Sequence, residues 1–187
     1  MGTAGWIVVG VIVVIVLWGI LLYNGLVAGR NQVEAAWRQI DVQLKRRRDL
    51  IPNLVETVKG YMGYEQETLQ AVIKARNAAV QAEGGPREGQ IQAEAALGAS
   101  LGRLFALAES YPDLKANQNA MQLQEELTST ENKIAFSRQH YNDSVMAQNT
   151  RVESFPAVLI AGSLGFTKHP YFEAEAQDRE VPQVKLR

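Results

Sequence analysis

The sequence predicts an all-α protein: an N-terminal transmembrane helix followed by an elongated antiparallel bundle of four helical stretches. Three observations carry that expectation. No side chain is charged before Arg30, and nearly every residue from Trp6 to Tyr23 is Ile, Val, Leu, Gly or Trp. Beyond Arg30, apolar residues return at intervals of three and four, the period of a helix face. No stretch shows the strict apolar and polar alternation of a half-buried strand.

As a helix rising ~1.5 Å per residue, Trp6 to Tyr23 covers ~26 Å, and Leu26 and Val27 extend it to the ~30 Å hydrocarbon thickness of a bilayer. Trp6 and Tyr23 fall near the two interfaces, where amphipathic rings sit favourably. A cleaved signal peptide fits less well. It has a charged start and an apolar core of about 7–15 residues, whereas residues 1–5 carry no charged side chain and Val27-Ala28-Gly29 is a poor cleavage site. A soluble core helix would need more apolar chain around it than the polar remainder supplies. Arg30, Arg38 and the run Lys45-Arg46-Arg47-Arg48 lie downstream, so Arg30 is expected at the inner interface, the amino terminus outside and the rest in the cytoplasm.

The remaining chain has ordinary single-domain size, enough to bury a core. In the 187 residues, 19 Lys and Arg nearly balance 20 Asp and Glu, which leaves no global field to hold nucleic acid. There is no cysteine, so disulfides, thiolate catalysis and Cys-based zinc sites drop out. The two histidines, His140 and His169, lie far apart.

From Val33 a heptad seam runs through Trp37, Ile40, Leu44, Ile51, Leu54 and Val58, interrupted where Arg47 occupies a seam position. It predicts a long first helix, continuous with the apolar run through Asn24 and Gly25, and bent at Pro52. Gly60 and Gly63 weaken it, leaving either a break or a kinked continuation. A second helix, Glu65 to Ala82, carries Leu69, Val72, Ile73, Ala79 and Val80 and is stopped by Gly84-Gly85-Pro86. A third from Arg87 shows Ile91, Ala95, Leu101, Leu104, Phe105 and Ala108, with Gly98 and Gly102 suited to close intradomain packing. Asp113 is the expected N-cap of a fourth, whose stripe is Leu123, Leu127, Ile134, Tyr141, Val145 and Val152. These stripes can be buried only against each other. The expected divisions are an anchor over 1–28, a bundle over 29–156, an apolar segment over 157–172 that packs on the bundle, the membrane interface or a partner, and a charged tail over 173–187.

No phosphate loop or nucleophile motif is present, and Gly162-Ser163-Leu164-Gly165 lacks the glycine spacing of a hydrolase elbow. No catalytic, cofactor or metal residue is assigned. Arg47, placed on the apolar stripe, is expected to meet a carboxylate of the fourth helix, Glu131 or Asp143, because an unpaired buried charge is expensive. The alternative is that Arg47 snorkels to solvent at the Pro52 bend. The polar network predicted around it comprises Arg47, Asp49, Glu131, Asn142 and Asp143. Val158, Leu159, Ile160, Leu164 and Phe166 form the predicted interaction segment, and Trp6, Tyr23 and Arg30 the membrane interface.

Several words then carry a resemblance: Ile40-Asp41-Val42-Gln43-Leu44-Lys45-Arg46-Arg47, Asp49-Leu50-Ile51-Pro52-Asn53-Leu54, Tyr111-Pro112-Asp113-Leu114-Lys115-Ala116-Asn117, Thr130-Glu131-Asn132-Lys133-Ile134 and Tyr171-Phe172-Glu173. Together they resemble the LemA family over nearly all of the chain after Tyr23. Tyr64 departs from the family, where members often have His. The resemblance implies a single-pass protein of the bacterial inner membrane with a helical bundle, and no catalytic residues carry over. Some members are associated with magnetosome membranes and others occur beside a membrane-bound zinc metalloprotease, which implies scaffolding or adaptor roles.

The resulting expectation is a non-enzymatic scaffold in a lipid bilayer that forms a homo-oligomer or binds another membrane protein, helped by Gly25 and Gly29 at the inner edge. The alternative is a membrane-tethered ligand sensor with a polar site between the first and fourth helices, around Arg47, Glu131 and Asn142. A carboxylate hydrolase using a hard cation is the weakest expectation.

Overall fold

A computed structural model describes residues 2–172. Among them the protein is all-helical, without a strand. The helices are α1 (Thr3–Lys59), α2 (Gln66–Ala82), α3 (Arg87–Ala108), α4 (Pro112–Lys115) and α5 (Gln118–Glu153), followed by a 3-10 turn, Ala157–Leu159. The charged tail expected over 173–187 lies outside the described residues.

Helix α1 is continuous through Asn24 and Gly25, runs on past Pro52 and ends at Lys59. Gly60 and Gly63 therefore mark a break, and the chain turns over 60–65 before α2 begins. The N-terminal part of α1 is the one segment among the described helices that is long and apolar enough to cross a membrane, and none of its most apolar window is buried by the rest of the chain.

The chain forms two compact units. Among the described residues, one comprises residues 2–37 and 138–172, the other residues 38–137. In the second, Ile51, Leu54 and Val58 of α1 share a core with Leu69 and Val72 of α2, Leu97, Leu101 and Leu104 of α3, and Leu127 of α5. Helices α2 and α3 pack directly on each other. Burying such Leu, Ile and Val side chains contributes roughly 1.5–3 kcal/mol each. In the first unit, Leu26 clusters with Val152, Ala161 and Phe166.

Three details correct the helix-face expectations. On α2, Leu69, Val72 and Ala79 are buried but Ile73 and Val80 are exposed. On α3 the buried row is Gln90, Glu94, Leu97, Leu101 and Leu104, while Ile91 and Ala95 are only half-buried. Gly98 and Gly102 hold no tight packing: a β-carbon on Gly102 would meet nothing within 4 Å, and one on Gly98 would lie an ordinary 3.7 Å from Arg47 Nη1.

The fourth stretch is divided. Asp113 falls inside the short α4 and caps nothing longer. Asn117 takes the capping position of α5, its Oδ1 accepting a hydrogen bond from the Ala120 amide at 3.0 Å.

Candidate functional site

The second unit contains a buried ion cluster. Arg47 follows Leu44 by three residues and precedes Ile51 by four, so helical spacing turns it inward with them. Arg48, one residue and ~100° further round, is also buried. Glu94 is brought to meet them by α3, where Gln90, Glu94, Leu97 and Leu101 repeat at intervals of four, three and four. Arg47 Nη2 donates to Glu94 Oε2 at 2.7 Å and to the Glu94 carbonyl at 3.0 Å, while Arg48 Nη1 donates to Glu94 Oε1 at 2.5 Å. Arg47 Nη1 reaches Glu131 Oε2 on α5 at 2.6 Å, and Arg48 Nη2 pairs with Glu83 Oε2 at 3.0 Å.

Exposure ranks these carboxylates. The Glu94 side chain is 1 % exposed, like that of Arg47, whereas Glu131 is 51 % exposed. Desolvating an ion costs several kcal/mol, offset here by short charge-assisted hydrogen bonds to both Glu94 oxygens. Arg47 Nε is buried without a hydrogen-bond partner. Asp41, half-buried on α1, has its pKa raised, first by burial; Arg48 and Arg87 oppose the rise, and Glu83 and Glu94 add to it.

The predicted polar residues are only partly brought together. Arg47 and Glu131 meet. Asp49, two residues past Arg47 and so on another helix face, is exposed. Asp143 is exposed and Asn142 is committed elsewhere, both in the other compact unit. Arg48 and Glu94 were missed as members of the cluster. The available signal was a lone acid, Glu94, interrupting the α3 seam as Arg47 interrupts that of α1.

The first unit is held by amides. Asn142 donates from Nδ2 to the Phe172 carbonyl at 3.0 Å and accepts from the Phe172 amide at 2.8 Å. Asn149 repeats this two-bond pairing with His169, at 3.0 and 2.9 Å. Between them the Tyr141 hydroxyl donates to the Pro170 carbonyl at 2.9 Å. Phe172 packs near the Trp37 ring and under the Arg138 guanidinium, with centroid distances of 6.2 and 4.5 Å. Gln148 Nε2 donates to the α1 carbonyl of Leu26 at 3.2 Å, passing close to Gly29. Gly29, expected to serve association through a Gly25–Gly29 pair, is thus covered within its own chain.

The predicted interaction segment divides between core and surface. Phe166 is buried, with Tyr23 edge-on to its ring at 5.8 Å and Arg30 above it at 5.4 Å, so it is removed from the contact surface. Ile160 is half-buried, while Val158, Leu159 and Leu164 are exposed. Trp6 and Tyr23 are exposed too.

The second unit carries an open groove of about 920 Å3 lined by Gln43 of α1 and by Gln124, Thr128, Asn132 and Phe136 of α5, among others. Residues 124, 128, 132 and 136 stand one helical turn apart, making a ridge of the kind that seats in the groove of another helix. Phe136 is 73 % exposed on it.

The chain is similar to the magnetosome protein MamQ of Magnetospirillum gryphiswaldense, at 24 % identity over 88 % of this chain and 71 % of that protein. It is similar to protein LemA of Metamycoplasma hominis, at 25 % identity over 88 % of this chain and 75 % of that one. Magnetosome protein MamQ 2 of Paramagnetospirillum magneticum matches at 25 % identity over 82 % of this chain and 65 % of its own length. The sequence profile of the LemA family matches residues 36–186, and the chain belongs to that family.

Proposed function

We propose that this LemA-family protein is a membrane-anchored, non-enzymatic scaffold whose helical faces contact a second copy or another membrane protein. The observation that carries the reading is the contrast between its two polar features. The buried Arg47 cluster is paired within its own chain, while the α5 groove is broad, open and topped by the exposed ring of Phe136. A small-molecule site encloses its ligand; a ridge with an exposed phenyl group suits a partner helix. The apolar start of α1 supports the anchor, and the relative named as a magnetosome protein accords with a role at a membrane-bound structure. The sensor alternative has less support, because the Arg47 terminal nitrogens are already bonded and its side chain is 1 % exposed.

Photocrosslinking in the native membrane tests this. A photoreactive side chain replacing Phe136 is expected to capture a discrete protein adduct, a second copy or another polypeptide, whereas one replacing the fully exposed Tyr64 captures none. Adducts no more frequent at Phe136 than at Tyr64 would remove the scaffold reading of this face.

A further inference from the structure

We propose that residues 155–166 form a membrane-seating collar, with Phe155, Val158, Leu159 and Leu164 inserting into the headgroup–acyl boundary of the same bilayer that α1 is proposed to span. The inference rests on the anchor reading of α1.

Position is the first argument. The segment folds against the stretch of α1 where its apolar run ends. Phe155, Pro156 and Ala157 share a small cleft with Leu22 and Leu26, and Phe166 touches Tyr23 and Arg30. Leu22 to Arg30 spans ~12 Å of helix, comparable with the ~5–10 Å depth to which interfacial segments insert.

Division of the side chains is the second. Ala157, Ala161 and Phe166 face the core, while Val158, Leu159 and Phe155 face out, Leu159 and Phe155 at 72 % and 79 % exposure. Gly165, at φ +79° in the left-handed region that glycine tolerates, reverses the chain between outward Leu164 and inward Phe166. Clustered exposed apolar side chains of this size mark an interaction surface.

Backbone satisfaction is the third. A loop in water has no need to bond its own amides, but one entering an apolar layer does. Here the amides of Val158, Leu159, Ile160, Ala161, Leu164 and Phe166 all donate to carbonyls of residues 154–161. At the polar rim Arg30 lies over Phe166, a cation suited to anionic headgroups, while Lys168 is paired with Glu153.

The chain contains no cysteine, so single reporters can be placed cleanly. Full-length Leu159→Cys, Leu164→Cys, Ile12→Cys and Tyr64→Cys, each carrying an environment-sensitive fluorophore, would be reconstituted in vesicles of equal parts phosphatidylcholine and phosphatidylglycerol. Leu159→Cys and Leu164→Cys are expected to be quenched by lipids bearing a nitroxide high on the acyl chain and to show a several-fold weaker response to aqueous iodide than Tyr64→Cys. Protection that persists when the protein is diluted with excess lipid supports the collar. Protection lost on dilution means a second copy covers these residues and overturns it. Iodide access at Leu159→Cys equal to that at Tyr64→Cys, with Ile12→Cys still quenched from lipid, overturns the collar alone. If Ile12→Cys is also in water, the anchor reading falls with it.

Discussion

The Gln148 side chain occupies the space that a β-carbon on Gly29 would need: such a carbon would stand 1.9 Å from Gln148 Oε1. Gly29→Ala therefore displaces the end of the Gln148 side chain, the group that bonds the Leu26 carbonyl. The cost expected is about 1–3 kcal/mol. Gly25→Ala meets nothing within 4 Å and should be neutral or gain up to ~1 kcal/mol from helix propensity. Denaturant titration of the two variants in mild detergent, followed by circular dichroism, should place them on opposite sides of the parent. Equal effects would mean that Gln148 has room to move.

Glu94 serves two buried guanidinium groups, whereas Glu131 serves one from half in water. Glu94→Ala is expected to destabilise by ~3–5 kcal/mol, since it leaves Arg47 and Arg48 buried with less than their charge answered. Glu131→Ala, after screening by solvent, should cost about 1 kcal/mol or less. Urea midpoints for the two variants check the ranking, and the reverse order would contradict it.

Asp41 supplies a pH signature. Burial is the leading reason its pKa is raised, so the folded chain holds this proton to higher pH than the unfolded chain. Its contribution is complete below the unfolded pKa and is lost as pH rises through the folded one. Asp41→Asn has no proton to lose. Its stability relative to the parent should therefore improve from pH ~4 toward neutrality, read as the difference between two melting-temperature series. A difference independent of pH would show that Asp41 titrates alike folded and unfolded.

Asn142 and Asn149 each grip a backbone residue by two hydrogen bonds. Asn142→Ala removes a donor and an acceptor together, costing about 1–3 kcal/mol locally. Hydrogen exchange is expected to quicken at the Phe172 amide, with less effect at His169, whose partner Asn149 remains. Unchanged exchange at Phe172 would mean that packing against Trp37 alone holds the segment.

How far the fold could be read follows from which contacts are periodic. The α1 seam from Val33 to Val58 was legible because one face repeats for almost four heptads. On α3 the face was misjudged by one position: Ile91 and Ala95 are apolar, but Gln90 and Glu94, one residue earlier, complete the row through Leu97. The apolar signal and the true seam differ there by ~100° of helix, because the core at that point is ionic. Arg47 announced a need for a carboxylate without saying which. Glu131 was one of the two fourth-helix carboxylates in view, with Asp143, whereas Glu94 lay one position away from the face that Ile91 and Ala95 suggested. The amide pairings of Asn142, Asn149 and Gln148 were not legible: Gln148 and Asn149 are buried alongside Tyr141, Val145 and Val152, but a side-chain amide gives no hint of which backbone it binds.

The bond from Gln148 to the Leu26 carbonyl joins residues 122 positions apart. At ~5–20 residues per second on the ribosome, on the order of ten seconds separate the appearance of the two ends. The apolar start of α1 would thus be available for insertion while the residues that cover Leu26 and Gly29 do not yet exist. The first part made is the last to be sealed, so a nascent chain interrupted before Gln148 leaves that surface open to whatever chaperone or protease meets it first.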